Sequence, residues 1–291
     1  MIKTSNFFLI HNYNTVPDDL LKYCNNYVIY DASDDSSIVH TLDEKSYNVI
    51  HIPNTGHNIT TYFSYFADHL EKGDLPCVIE CLKGNIIGRH VSKEYFDAVY
   101  QNTFFTYLYE ERSMRDRYSK ATPEVIAAHN GKDPSEGCIA SLLSQSRFIE
   151  VNSSWYMHEN THPSKYFTDF DDLLRFIYKD PVIPKYVEFA PGGCYILRKE
   201  QVELHSASFY RNLNKIQNYT TTPGFPAEAY IIERLLPIIF NERCEVNPWM
   251  NDDESFDMCL AEQAKRLTEK KEALSNRTFF QKVKDHLKNS L

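Results

Sequence analysis

Two carboxylates interrupt an apolar segment in the last third of the chain. The segment reads GFPAEAYIIERLLPIIF over 224–240 and contains Glu228 and Glu233. Removing a carboxylate from water costs free energy unless the charge is paired or is used in chemistry. Proton transfer with a nearby hydroxyl is the chemistry that a held carboxylate commonly performs. These two residues are therefore expected either to be paired within the fold or to serve a function.

The prolines of this segment predict where its helix runs. Pro226 suits a first helical turn, because the N–H that proline lacks has no partner there. Pro237 is expected to end or kink the helix about three turns later, because its ring crowds the carbonyl of Glu233. At about 100° per residue, Glu228 and Glu233 lie about 140° apart and cannot share one face. One carboxylate can face a cleft while the other is held within the fold.

Four predicted strands alternate with helices in the first hundred residues. The strands are predicted over 7–13, 27–33, 48–56 and 76–85, and the helices over 16–24 and 58–73. Asn58 is expected to cap the second helix and Gly73 to end it. Apolar strands joined by helices indicate a parallel sheet covered on both faces. Ligands bind such sheets at the carboxyl ends of the strands.

Polar and turn-forming residues follow each of these strands. They are His11, Asn12, Tyr13, Tyr30, Asp31, Pro53, Asn54, Thr55, Gly56, Lys83, Gly84 and Asn85. We interpret the set as a ligand-binding edge of the sheet. The alternative is that strand ends are polar simply because loops are polar.

The second half of the chain continues the α/β pattern. A strand is predicted over 148–156, a helix over 169–178, and a strand followed by a helix over 188–216. Gly192 and Gly193 enter this last strand, where glycine permits either a close approach to a ligand or a bulge.

Two further segments have a different character. Residues 112–147 read as an irregular insertion, which is either a lid or substrate loop or a disordered surface loop. From 252 onward the chain is polar, charged and helical. We therefore predict one domain over 1–250 and a helical C-terminal extension over 251–291.

Three acidic clusters are candidates for a metal site. They lie at 31–35, 169–172 and 252–254. A D-x-D pattern can hold a divalent metal against a diphosphate through hard oxygen ligands. Asp169 and Asp252 are better explained as helix N-caps. Asp31 alone ends a predicted strand, and we assign it to nucleotide contact rather than to a metal.

The composition narrows the class of protein. Its 42% hydrophobic and 24% charged residues are typical of a soluble globular protein, and a net charge of −9 argues against nucleic-acid binding. Seven cysteines without paired spacing indicate reduced thiols, and no segment has the roughly 20 apolar residues of a membrane span. A cytoplasmic protein is expected. His57 and His162 lack metal-ligand spacing and are predicted to be surface histidines.

The order of several short motifs resembles a domain family of formerly unknown function found in bacteria, fungi and some viruses. The motifs span residues 7–241 and read NTGHNITTYFSYF, DLPCVIECLKGN, FAPGGCYILRKEQV, SFYRNL and PAEAYIIERLLPIIF. That family looks related to glycosyltransferases of the GT-A fold. The resemblance implies a GT-A-like, Rossmann-like, mixed and mostly parallel sheet flanked by helices, with a helical C-terminal tail.

The resemblance also implies an activity and roles for the candidate residues. A carboxylate on the last core helix, Glu228 or Glu233, would be the base of an inverting single displacement. We assign the base to Glu228, which lies at the start of the helix and is expected to reach a cleft, with Glu233 and Arg234 as a structural pair. The reverse assignment is the alternative. The donor nucleotide-sugar would contact His11, Asn12, Tyr13, Asp31, Asn54, Gly56, Lys83, Asn85 and Arg89. The cleft for the acceptor would include Gly192, Gly193 and Tyr230.

One departure from the resemblance concerns the metal. GT-A enzymes commonly carry D-x-D after the strand that here ends in Lys83-Gly84-Asn85. Lys83 and Arg89 can neutralise a leaving diphosphate in place of a metal. We therefore predict no metal ligands, and dependence on Mn²⁺ or Mg²⁺ is the alternative.

The partners expected from this interpretation are a nucleotide-sugar donor and a glycan or lipid-linked acceptor, with no nucleic acid. The tail over 276–291 has a basic amphipathic pattern that suits contact with the inner face of a membrane. Packing of that tail on the domain, or a homodimer contact, are the alternatives. A second function class is a non-catalytic nucleotide- or glycan-binding protein with a degenerate transferase fold.

Overall fold

The computed structural model describes residues 3–55, 57–110, 148–152, 162–219 and 225–275. Within these ranges the strands form one six-stranded sheet and one two-stranded sheet. The strands are β1 (Thr4–Asn12), β2 (Cys24–Asp31), β3 (Val49–His51), β4 (Val78–Lys83), β5 (Thr106–Tyr107), β6 (Phe148–Val151), β7 (Tyr186–Phe189) and β8 (Tyr195–Arg198).

The large sheet has the strand order β3-β2-β1-β4-β8-β5. Its first four strands are parallel, and β8 runs antiparallel to both of its neighbours. The small sheet pairs β6 with β7 antiparallel. The prediction of an α/β fold with a mixed, mostly parallel sheet is confirmed.

Helices connect and cover these strands. They are α1 (Asp18–Leu21), α2 (Ser36–Glu44), α3 (Asn58–Lys72), α4 (Ile86–Arg89), α5 (Lys93–Val99), α6 (Phe170–Ile177), α7 (Lys199–Val202), α8 (Ala207–Gln217), α9 (Ala227–Asn241) and α10 (Asp253–Ser275). The first helix is shorter than predicted, and α2, α4 and α5 were not predicted.

The core lies in two clusters, one for each face of the large sheet. One cluster unites α3, α8 and α9 around residues such as Phe63, Tyr210 and Ile232. The other packs Phe8 against Tyr23 and Phe96. Alternate residues of β1 point into different clusters, as the period of a strand requires when both faces are covered.

Helix α9 continues past Pro237 to Asn241, so of the two expected effects Pro237 does not end the helix. The helix buries a long apolar surface on both sides of the proline, including Ile232, Leu236 and Ile239. This burial is worth more than the single hydrogen bond that proline removes.

The predicted caps at the acidic clusters are confirmed. Asp169 accepts a hydrogen bond from the Asp172 N–H at the start of α6, at 2.8 Å. Asp252 does the same for the Ser255 N–H at the start of α10, also at 2.8 Å. Asn58 is not a cap, because its side chain donates instead to the carbonyl of Gly192 at 2.8 Å.

Helix α10 packs on the rest of the described chain through Phe256 and Leu260, which belong to the same core cluster as α9. Its charged face pairs with α8, with Lys215 2.8 Å from Asp257. The insertion at 112–147 and the tail at 276–291 lie outside the described residues. Among the described helices, none has the length and apolar character needed to cross a membrane.

One carboxyl lies in the interior of the sheet. Glu80 of β4 has no exposed surface, and its Oε1 accepts a hydrogen bond from Asn6 at 2.9 Å. Its Oε2 has no partner among the described residues. Burial raises the pKa of this carboxyl well above its usual range, so the folded state holds it protonated at higher pH than the unfolded chain does.

This burial predicts a pH-dependent gain in stability for Glu80→Gln. A raised folded-state pKa stabilises the fold below the unfolded pKa, and that contribution is lost as the pH rises. Glutamine keeps an acceptor for Asn6 and does not ionise. The free energy of unfolding of the variant, relative to that of the wild type, should therefore rise by about 1.4 kcal/mol per pH unit above about pH 5, until the pKa of Glu80 in the folded state is reached.

Urea unfolding at about pH 6 and about pH 8 measures this difference. Glu94→Gln, at an exposed position of α5, is the control, and its free energy of unfolding should differ from that of the wild type equally at both values. A difference for Glu80→Gln that does not change with pH would contradict the assignment.

Candidate functional site

A cavity of about 650 Å³ opens at the carboxyl edge of the parallel strands. This volume lies within the range of small-molecule sites. The described residues that line it are His11, Tyr13, Asn54, Thr55, Asn58, Lys83, Gly84, Asn85, Arg89, Asn218, Tyr219, Phe225 and Pro226.

The sheet topology explains why these residues meet. Strand β1 pairs with β2 on one side and with β4 on the other. The chain therefore builds the sheet from β1 in one direction, through β2 and β3, and then continues it on the opposite side of β1 with β4. In the register, His11 lies beside Tyr30 on one side and Lys83 on the other. Open α/β sheets bind ligands at such a switch point, outside the carboxyl ends of the strands.

The cavity is cationic. Lys83 and Arg89 line it, and none of the lining residues that the structure describes is acidic. No ion pair joins Lys83 or Arg89 to a carboxylate within the described ranges. Two positive charges without acidic partners, at the edge of a switch point, suit an anionic ligand.

Three imidazoles feel the charge on Lys83. Burial, and then the ammonium of Lys83, lower the pKa of His11 to about 4 and that of His57 to about 4. The same causes, in the same order, lower the pKa of His90 to about 3. All three rings are therefore neutral at pH 7. His57 was predicted to be a surface histidine, but it is only partly exposed and its Nε2 is buried.

Two predicted donor residues lie beneath the lining. Asn12 Nδ2 donates to Asp31 Oδ1 at 2.8 Å, and Asp31 also accepts from the Ser33 hydroxyl at 2.6 Å. Asn12 Oδ1 would lie 2.1 Å from a Cβ atom at Gly84, so only glycine fits between the amide and the cavity. Asp31 and Asn12 thus hold the floor of the cavity and do not line it.

Two exposed aromatic rings stand at the cavity. Tyr13 is 44% exposed, and its hydroxyl donates to Asp34 at 3.0 Å, which fixes the direction of the ring. Phe225 is 42% exposed and packs edge-on against His57, with ring centroids 4.8 Å apart. Exposed aromatic faces beside cations are typical of sites that take planar groups.

The structure contradicts the expectation that Glu228 reaches the cleft. Its side chain has no exposed surface. Oε1 accepts the N–H groups of Lys165 at 3.0 Å, Tyr166 at 2.9 Å and Phe167 at 3.4 Å. Oε2 accepts from the hydroxyl of Tyr219 at 2.6 Å. Glu228 therefore fastens the 165–167 segment and one wall of the cavity to α9, and no acceptor hydroxyl can reach it.

Glu233 faces another direction, as the 140° separation required. Its Oε1 accepts the N–H of Gly192 at 2.7 Å, and its Oε2 lies 3.3 Å from Arg234 Nη1. Arg234 is the residue with which Glu233 was expected to form a structural pair. The side chain of Glu233 is 20% exposed, so it is the more accessible of the two glutamates.

The residues assigned to the acceptor are not gathered at the cavity. Gly192 and Gly193 form a buried turn with positive φ angles of 99° and 65°, which L side chains rarely adopt. A Cβ atom at Gly192 would lie 2.7 Å from the ring of His90. Tyr230 is half-buried against His162, with ring centroids 4.4 Å apart. Gly56 lies outside the described residues.

Several lining residues were not predicted. Tyr219, Phe225 and Pro226 lie between α8 and α9 in the sequence, and Asn58 and Asn218 lie at ends of α3 and α8. No local pattern shows that these residues line the same cavity as the strand ends. No three His, Cys, Asp or Glu side chains within the described ranges are grouped as metal ligands.

The chain was compared with protein-family models, with curated proteins and with solved structures, and no match was found. The site must therefore be interpreted from its own chemistry.

The contacts of Glu228 predict different results for two substitutions. Glu228→Ala leaves three backbone N–H groups and a tyrosine hydroxyl without their acceptor, and should lower the free energy of unfolding by about 3 kcal/mol or more. Glu228→Gln keeps an oxygen for the backbone groups and should lose about 1 kcal/mol or less. Chemical denaturation measures both, and equal losses would contradict the fastening role.

Proposed function

We propose that this protein binds a nucleotide-sugar in the cavity at the β1–β4 switch point and transfers the sugar to a hydroxyl of a glycan or glycolipid. The observation that carries the proposal is the pair of cations, Lys83 and Arg89, at the carboxyl edge of a parallel sheet, without an acidic residue among the described lining. A nucleotide-sugar brings two negative charges, a planar base and a sugar to such a site.

The diphosphate is the group that the cations would hold. Its charge increases when the bond to the sugar breaks, because the electron pair of that bond stays on the diphosphate oxygen. Lys83 and Arg89 stabilise this developing charge electrostatically, as a bound metal does in other transferases. Asn85 and Asn54, at the ends of β4 and β3, offer amide donors to the same ligand.

The exposed rings suit the two ends of the donor. Tyr13 offers a fixed aromatic face on which a nucleobase can stack, since stacking needs no particular base. Phe225 lies across the strand ends on the α9 side of the cavity and offers a second apolar face. Phe225 would contact the sugar in this arrangement.

The base of the reaction is reassigned. In a single displacement a carboxylate takes the proton of the acceptor hydroxyl while the oxygen of that hydroxyl attacks the anomeric carbon. Glu233 replaces Glu228 in our proposal, because it keeps exposed surface. The turn that it holds at Gly192 also binds Asn58, which lines the cavity. The likeness of the motif order to GT-A glycosyltransferases supports the same helix.

A second candidate function is a nucleotide-sugar-binding protein without transferase activity. The specific observation in its favour is that neither Glu228 nor Glu233 is among the described residues lining the cavity. Slow hydrolysis or transfer of a nucleotide-sugar separates the two functions.

Donor binding should depend on Lys83 and not on a divalent metal. Thermal-shift screening of common nucleotide-sugars identifies a ligand, and titration calorimetry then gives its dissociation constant. Lys83→Met should weaken binding by roughly 10-fold to 100-fold, because a charge-assisted contact is lost. EDTA should leave binding unchanged.

The control for this variant is Lys72→Met, at the exposed end of α3 and outside the cavity lining. Loss of binding in EDTA, with recovery in manganese, would overturn the metal-independent mechanism. Equal binding by Lys83→Met and Lys72→Met would overturn the donor site.

The two glutamates should differ in turnover. With the identified donor, Glu233→Gln should lower the rate of transfer or of donor hydrolysis by about 100-fold or more at unchanged donor affinity. Glu228→Gln should stay within a few-fold of the wild type. The opposite order would restore Glu228 as the base, and no turnover in any variant or in the wild type would favour the binding protein.

A further inference from the structure

The charge on Lys83 is surrounded by imidazoles rather than carboxylates. His11 lines the cavity at the end of β1, directly across the strand pair from Lys83. His57 precedes α3 and packs on Phe225, which also lines the cavity. His90 follows Arg89, and its ring lies against Gly192. His11 therefore borders the cavity directly, and His57 borders it through Phe225.

Their ring nitrogens leave room for a proton. His57 Nε2 is buried and has no hydrogen-bond partner among the described residues. His11 Nδ1 lies 2.9 Å from the hydroxyl of Thr61, which leaves Nε2 for a second contact. A buried polar atom without a partner costs free energy, and a ligand that supplies one recovers it.

We infer that His11 and His57 take up protons when a dianionic ligand binds beside Lys83. The inference rests on the proposed function, because the dianion would be the diphosphate of the donor. The cavity would then supply positive charge in two forms: the fixed charges of Lys83 and Arg89, and a charge that appears only on binding.

The groups around each imidazole support this coupling. Three titratable groups face His11: Lys83 of β4, His57 before α3 and Asp31 of β2. Of these, only Asp31 favours the charged form of His11. His57 faces Lys83 alone among the described charges that affect it. A dianion placed between these groups opposes the field of Lys83 and favours the imidazolium form of both rings.

The useful consequence is that neutralisation does not need a metal. The two permanent positive charges of Lys83 and Arg89 match the two negative charges of the bound donor. The diphosphate that leaves carries one more negative charge, and proton uptake by the imidazoles supplies further positive charge for it. The empty cavity avoids the cost of four crowded cations, because both rings stay neutral until the ligand arrives.

Sulfate binding tests the inference, since sulfate keeps two negative charges throughout the range used. Its dissociation constant is measured at about pH 8 and about pH 6. If each pKa returns to about 6.5 in the complex, affinity should rise about fourfold for each imidazole between these values. Calorimetry of the unaltered protein in buffers of different ionisation enthalpy then counts the protons taken up directly.

The variants assign the effect to residues. His57→Gln should remove about a fourfold factor from the pH dependence, and His40→Gln, at an exposed position of α2, should remove none. Sulfate binding that depends on Lys83 but takes up no protons would overturn this inference and leave the anion site intact. Failure of the wild type to bind sulfate more tightly than Lys83→Met would instead remove the anion site on which the proposed function rests.

Discussion

The parallel pairing of β1 with both β2 and β4 is the constraint on which the site depends. It sets His11 level with Tyr30 and Lys83, so that three strands end together. Two further backbone bonds continue the pairing past the strand ends, from the Gly84 N–H to the His11 carbonyl and from the Ala32 N–H to the Asn12 carbonyl. The edge that faces the cavity is therefore held by hydrogen bonds of the main chain.

Carboxylates near the site accept hydrogen bonds that hold other parts of the fold in place. Asp31 holds Asn12 and Ser33, Glu228 holds three backbone N–H groups and Tyr219, and Glu233 holds the Gly192 turn. Asp31 and Glu228 are thus buried and satisfied by donors of the fold, whereas Glu233 keeps 20% of its side chain exposed. This arrangement leaves the positive charges of Lys83 and Arg89 to define the electrostatics of the cavity.

Much of the fold and part of the site could be predicted from the sequence. Strand ends and their register at one edge follow from apolar runs and parallel pairing, and six predicted donor residues line one cavity: His11, Tyr13, Asn54, Lys83, Asn85 and Arg89. Helix α2 was not predicted, because the acidic residues before it and its short, mixed pattern of polar and apolar residues resemble a loop. The angle between Glu228 and Glu233 was predictable from helix geometry.

The roles of the two glutamates were not predictable in this way. The donors that bury Glu228 come from the segment around Tyr166, about sixty positions earlier, and no local pattern indicates that contact. The partial burial of His57 was missed for a related reason, since His57 packs on Phe225, which is distant in the sequence. Long-range contacts decided which polar residues line the cavity.

The approach of Asn12 to Gly84 has a consequence for sequence change at this site. A side chain at position 84 would occupy the space of the Asn12 amide, while a smaller residue at position 12 would release both Asp31 and Thr15. The residue at neither position can therefore be substituted without a change at the other. Related chains that keep the cavity should therefore retain both residues or exchange them as a pair, and a glycine here paired with a different residue at position 12 would mark a chain with a differently shaped floor.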